Sequence, residues 1–131
     1  MSTQVTTFLM FEGKAKEAME FYVSLFENSK ITNVDYYEEG EMGPAGTVKV
    51  ATFSLNGRPF MAIDSHVKHQ FTFTPAISLF VNCTQEEEIE KLYKALSEGG
   101  GVLMPLGAYG FSKKFTWVND RFGVSWQISY D

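Results

Sequence analysis

The chain has 131 residues, a net charge of −5 and 44% hydrophobic residues, the size and composition of one globular domain rather than of a disordered segment. The acidic balance excludes the basic footprint that nucleic acid or an anionic membrane requires, and no apolar run approaches the roughly 20 residues of a membrane-crossing helix. The N-terminal stretch lacks the features of a signal peptide. Cys83 is the single cysteine and has no internal partner, so the chain is expected in the reducing cytoplasm. Aromatic residues reach 15%, which suits a bulky core or interface and equally an aromatic-lined cavity for a flat ligand.

Val5 to Phe11 is short, β-branched and aromatic and reads as a strand ending at Glu12-Gly13. Lys14 to Asn28 places Ala15, Ala18, Met19, Tyr22, Leu25 and Phe26 at helical spacing, an amphipathic helix lying on a sheet. Ile31 to Tyr37 is a second strand, and the Gly-rich acidic segment Glu38 to Gly46 an exposed loop. Val48 to Leu55 and Phe60 to Asp64 flank Asn56-Gly57, a strong hairpin signal.

The same order then returns. Ala76 to Asn82 is a strand, and Thr84 with Glu87 forms a capping box opening a helix with the stripe Ile89, Leu92, Tyr93 and Leu96. Three glycines from Gly99 end it. Val102 to Met104 is a short strand, Pro105 to Gly110 a loop, and Phe111 to Val118 and Gly123 to Tyr130 a hairpin across Asn119-Asp120. The fold class is α+β: β-α-β-β-β twice, as modules 1–64 and 76–131 joined by 65–75 in a single domain. Without gaps, Thr7 aligns with Ala76 and Asp64 with Gln127. Each module alone would expose a sheet face, so the two are expected to pair.

Nothing in the chain matches a Gly-rich dinucleotide fingerprint or a phosphate loop. Cys83, at the end of an apolar strand, reads as structural, and Glu86 to Glu88 as acids complementing a helix dipole. Asp64 is the candidate catalytic residue. A carboxylate whose burial disfavours its charge can take a proton from a carbon acid or phenol; alternatively Asp64 caps the turn leaving its strand. His66 and His69, in the joint, are exposed histidines or donors able to exchange a proton with a ligand near neutral pH.

Three stretches, Phe11 to Phe26 (FEGKAKEAMEFYVSLF), Ala76 to Cys83 (AISLFVNC) and Asp120 to Gln127 (DRFGVSWQ), together with the paired β-α-β-β-β order, resemble the vicinal oxygen chelate superfamily. This superfamily contains glyoxalase I, extradiol dioxygenases, fosfomycin-resistance enzymes and bleomycin-binding proteins. The match is to its PhnB-like branch, whose domain carries the label "3-demethylubiquinone-9 3-methyltransferase". The resemblance implies a curved sheet around a cavity between the modules, a small organic ligand in that cavity, and a homodimer. Metal-dependent members place ligands early in the first strand and on the last strand of each module. Carried onto this chain, those positions are Thr7, Asp64, Ala76 and Gln127, a set with one carboxylate, so no metal is expected. Thr7, Ala76, Ser78, Gln127, His66 and His69 are then the candidate ligand-binding residues, with no cofactor. The chain lacks the Gly-rich loop and the size of a usual S-adenosylmethionine methyltransferase, so true methyl transfer is not expected. Three functions follow: ligand binding with metal-free acid–base catalysis, a non-catalytic sequestering protein, and, least favoured, a metal-dependent enzyme of the glyoxalase or dioxygenase type.

Overall fold

The computed structural model describes residues 3–131. The chain divides into two compact units, one ending at His69 and one spanning Gln70–Asp131. In the first unit the elements are β1 (Thr7–Phe11), α1 (Ala15–Leu25), β2 (Lys30–Tyr36), β3 (Val48–Leu55) and β4 (Arg58–Asp64). In the second they are β5 (Leu79–Cys83), α2 (Glu86–Ser97), β6 (Gly101–Gly107), β7 (Lys114–Asn119) and β8 (Ser125–Tyr130). Each unit forms its own four-stranded mixed sheet with the same topology, β1-β4-β3-β2 and β5-β8-β7-β6. The first strand of each unit pairs in parallel with the last, and the other neighbours are antiparallel.

One helix lies on one face of each sheet. Ala15, Ala18, Met19 and Tyr22 of α1 are fully buried, and the alternation of β1 and β4 supplies Leu9, Phe11, Phe60 and Ala62 as the matching buried strand residues. In the second unit Lys114 bridges Glu86 and Glu90 of α2, which fixes the helix side of β7. Through the register, that side also carries Trp126, Ile128, Leu79 and Val81. Because side chains alternate across a strand, Trp117, Gln127 and Phe80 face the other way.

The structure corrects the sequence reading in four places. β5 begins at Leu79, and Ala76 lies in the turn before it. The cap of α2 is Gln85, with Glu88 rather than Glu87 as the acid; its carboxylate accepts from the Thr84 and Gln85 N–H groups. β6 runs on through Pro105 to Gly107, interrupted by bulges on a sheet edge, where proline is tolerated. Finally, β7 starts only at Lys114, so Phe111 belongs to the preceding loop.

The two registers also replace the gap-free alignment of the halves. Thr7 pairs with Phe60, and its counterpart Leu79 pairs with Trp126. Asp64 therefore corresponds to Tyr130 and Gln127 to Met61. The slip is three residues at the hairpin, because two residues connect β3 to β4 and five connect β7 to β8. The longer connection is organised by Asp120, whose Oδ1 accepts from the N–H groups of Phe122 and Val124. Its Oδ2 accepts from Trp126 Nε1 at 2.9 Å.

Candidate functional site

Asp64 is 4% exposed and turned to the helix side of its sheet. Oδ1 accepts the backbone N–H groups of Gly13 and Ala15, each at 2.9 Å, and Oδ2 accepts that of Val48 at 3.0 Å. Gly13 has φ +92°, a left-handed turn that glycine adopts without strain. Lys14, the residue at the cap of α1, makes no side-chain capping bond. Asp64 thus serves orphan donors at the start of α1 from a distant strand and places negative charge at the positive end of the helix dipole. Both carboxylate oxygens are committed to backbone donors. These bonds give Asp64 a structural role, tying the end of β4 to the start of α1 and to β3.

The other expected site residues separate into two groups. Thr7 shares the face of Leu9 and Phe11 and lies four residues from the end of β1 where Phe11 pairs with Asp64, so Thr7 and Asp64 do not converge. His69 Nε2 is 2.8 Å from Ser65 Oγ. His66 packs edge-on to Tyr37, with centroids 6.3 Å apart, and lines a cleft of about 240 Å³ with Glu12, Thr47 and Lys68. Ala76 is exposed in its turn.

Ser78 and Gln127, by contrast, are brought together. Gln127 Nε2 donates to Ser78 Oγ at 3.3 Å, Ser78 Oγ is 2.8 Å from Ser125 Oγ, and Trp117 Nε1 donates to Ser125 Oγ at 2.8 Å. This chain of hydrogen bonds lies on the face turned away from α2. Along the same row Phe80 pairs with Gln127 and Gln127 with Trp117. Phe80 is 56% exposed, and its ring lies 6.4 Å from that of Phe115. Phe115 in turn meets Phe111 edge-on at 4.9 Å and Tyr109 at 6.1 Å. An aromatic ridge therefore borders a short polar network without a charged side chain.

Sequence reasoning missed Phe80, Trp117 and Ser125. The alternation in AISLFVN and KFTWVN carried the signal, but a strand's face is decided by one residue of register. The equivalent row of the first unit is Phe8 and Met61. The matching row positions are then Phe8 and Met61 in the first unit and Phe80 and Gln127 in the second, and none of the four is a carboxylate or an imidazole. These residues do not fit a divalent ion of the kind that oxygen and nitrogen donors hold. Among the described residues no group of three or more His, Cys, Asp or Glu side chains is placed to hold a metal.

Cys83 is buried at the end of β5, and burial, with Glu88 nearby, pushes its thiol up to about 11. Lys114, hydrogen-bonded to Glu86 and Glu90, is raised to about 12. Neither belongs to the polar row.

Residues 3–129 match the family model described as 3-demethylubiquinone-9 3-methyltransferase. The chain belongs to this family. A PhnB protein of Bacillus cereus bearing the same family name is 57% identical, with 98% of this chain and 100% of that one covered and a TM-score of 0.96. The fold extends to more distant structures. The fosfomycin resistance protein FosX of Listeria monocytogenes, solved with Mn(II) and a dihydroxypropylphosphonic acid, is 10% identical over 98% of this chain and 92% of that one, with a TM-score of 0.67. A glyoxalase-related enzyme from Fulvimarina pelagi is 15% identical over 98% and 89%, with a TM-score of 0.59. The chain thus has the glyoxalase/bleomycin-resistance/dioxygenase fold. No curated protein matches the chain.

Proposed function

We propose that this PhnB-like chain binds a small organic molecule with a planar, aromatic body on the helix-free face of its second sheet, and that it does so without a metal and without catalysis by Asp64. The observation that carries the reading is the row Phe80–Gln127–Trp117: an exposed ring beside a hydrogen-bonding amide on a face that no helix covers. Aromatic surfaces of this kind gain from offset or edge-on ring contacts as well as from area removed from water. The commitment of both Asp64 oxygens to backbone donors favours sequestration over acid–base turnover. Metal-dependent chemistry, as FosX with its Mn(II) would suggest by analogy, finds no donor set on these faces. The proposal includes a cytoplasmic homodimer, consistent with exposed apolar side chains such as Phe71 and Ile77 and open to measurement by sedimentation. Among the described residues no helix is long and apolar enough to cross a membrane.

Titration with 2-naphthol, followed by tryptophan fluorescence, tests the reading. Saturable binding that weakens by about tenfold or more in Phe80→Ala is expected, the loss of roughly one well-buried aromatic contact. Binding unaffected by Phe80→Ala, or no binding by the wild type, contradicts it.

A further inference from the structure

The direction of the hydrogen bonds around Ser78 carries information about the ligand. An indole N–H can only donate, so Ser125 Oγ accepts from Trp117. Ser125 is 2% exposed, and a buried hydroxyl hydrogen without an acceptor is costly. The acceptor within reach among the described residues is Ser78 Oγ at 2.8 Å, so Ser125 donates to Ser78. Gln127 Nε2 donates to the same oxygen. Ser78 Oγ thus receives two hydrogen bonds, and its own hydrogen has no acceptor among the described residues. Ser78 is half-buried rather than enclosed, and its hydrogen is available on the helix-free face. The Gln127 carboxamide, held through its nitrogen, leaves Oε1 as an acceptor without a partner among the described residues.

From this arrangement, and resting on the ligand-face reading above, we infer that Ser78 and Gln127 form a donor–acceptor pair that selects a neutral planar ligand with an adjacent acceptor and donor on one edge, as in a lactam or a hydroxy-carbonyl. The Ser78 hydroxyl donates to the ligand's carbonyl oxygen, Gln127 Oε1 accepts the ligand's N–H or O–H, and Phe80 supports the ring. No charged side chain joins the network, so a carboxylate or ammonium on that edge would lose its hydration without an opposite charge in return. A ligand lacking the donor leaves Gln127 Oε1 unpaired beneath it, and sites built on hydrogen bonds discriminate strongly against such analogues.

The test uses the full chain, 2-quinolone and N-methyl-2-quinolone, titrated calorimetrically. The lactam is expected to bind about tenfold or more tightly than its N-methyl derivative, a difference of ~1.4 kcal/mol. In Gln127→Met, which installs the residue found at the matching register position Met61, the preference should shrink to about twofold or less, whereas Ser78→Ala, which removes the donor to the carbonyl that both compounds share, should weaken the lactam by about fivefold or more, with circular dichroism confirming the fold. Equal wild-type affinity for the two compounds, or a preference that survives Gln127→Met, overturns the donor–acceptor pair and leaves the aromatic ligand face standing. Binding of neither compound overturns both.

Discussion

Asp64 Oδ1 accepts the backbone N–H of Ala15 at 2.9 Å across 49 residues of sequence, joining the last strand of the first unit to the start of its helix. Together with the Gly13 and Val48 bonds, this contact makes Asp64 the corner piece where a strand end, a helix start and a second strand meet. Substituting Asn removes the charge and turns an NH₂ group toward at least one backbone N–H. Asp64→Asn is expected to lower the unfolding free energy by about 2–3 kcal/mol while leaving ligand affinity within about twofold under conditions where the variant is folded. Urea denaturation and calorimetric titration check the two halves. A fully stable variant that has lost an activity of the wild type would restore the catalytic reading.

Gly100 lies where the chain leaves α2 against the end of β7. A Cβ there would overlap the backbone carbonyl oxygen of Asn119 and come within 2.7 Å of the Asp120 carbonyl carbon. These are backbone atoms and cannot rotate aside. Gly100→Ala is therefore expected to cost about 1–3 kcal/mol, whereas Gly101→Ala, with open space around its Cβ, should cost less. Paired denaturation curves decide; equal stabilities would contradict the packing described.

Cys83 is buried, and its thiol is pushed up to about 11 by burial and by Glu88. The thiolate is the reactive form, so the folded protein should react with a disulfide reagent at pH 8 far more slowly than the urea-unfolded chain. The raised folded value also sets the sign of its contribution to stability. Cys83 contributes fully below the ordinary thiol range, and the contribution is lost as the pH climbs through that range toward about 11. Rapid labelling of the native protein at pH 8 would contradict this placement.

The row positions Phe8, Met61, Phe80 and Gln127 supply no carboxylate or imidazole. Protein purified without chelator is expected to carry substoichiometric zinc, nickel, manganese and iron by elemental analysis. Ligand affinity should be unchanged by added chelator. A stoichiometric divalent ion bound to the native chain would overturn the metal-free reading.

The element order was legible because its signals are local. Asn56-Gly57, the helical stripes of Ala15 to Tyr22 and Ile89 to Leu96, and the glycines from Gly99 each mark a boundary without reference to the rest of the chain. The site was less legible, because it depends on register. A five-residue connection after Asn119, set against two residues after Leu55, slips the second half by three positions. Asp64 is therefore matched to Gln127 instead of Tyr130, while Thr7 meets Ala76 instead of Leu79 because β5 starts three residues later than the apolar run suggests. An odd slip also exchanges the two faces of a strand, which is why Asp64 was expected at a ligand face and is found beneath a helix. Ser78 and Gln127 do meet, but through Ser125 and Trp117, whose contributions lie in side-chain hydrogen bonds that no sequence spacing announces.

The central claim is that the ligand face lies at Phe80, Trp117 and Gln127 rather than at Asp64. Two-dimensional ¹H–¹⁵N NMR during titration with 2-quinolone tests it most directly, because Trp117 Nε1 and Gln127 Nε2 each give a resolved side-chain reporter. The account predicts progressive, saturable shifts at those two groups and at the Phe80 amide, with the amides of Gly13, Ala15 and Val48 unmoved. Shifts concentrated at Gly13, Ala15 and Val48, or in the cleft lined by His66 and Lys68, would contradict it.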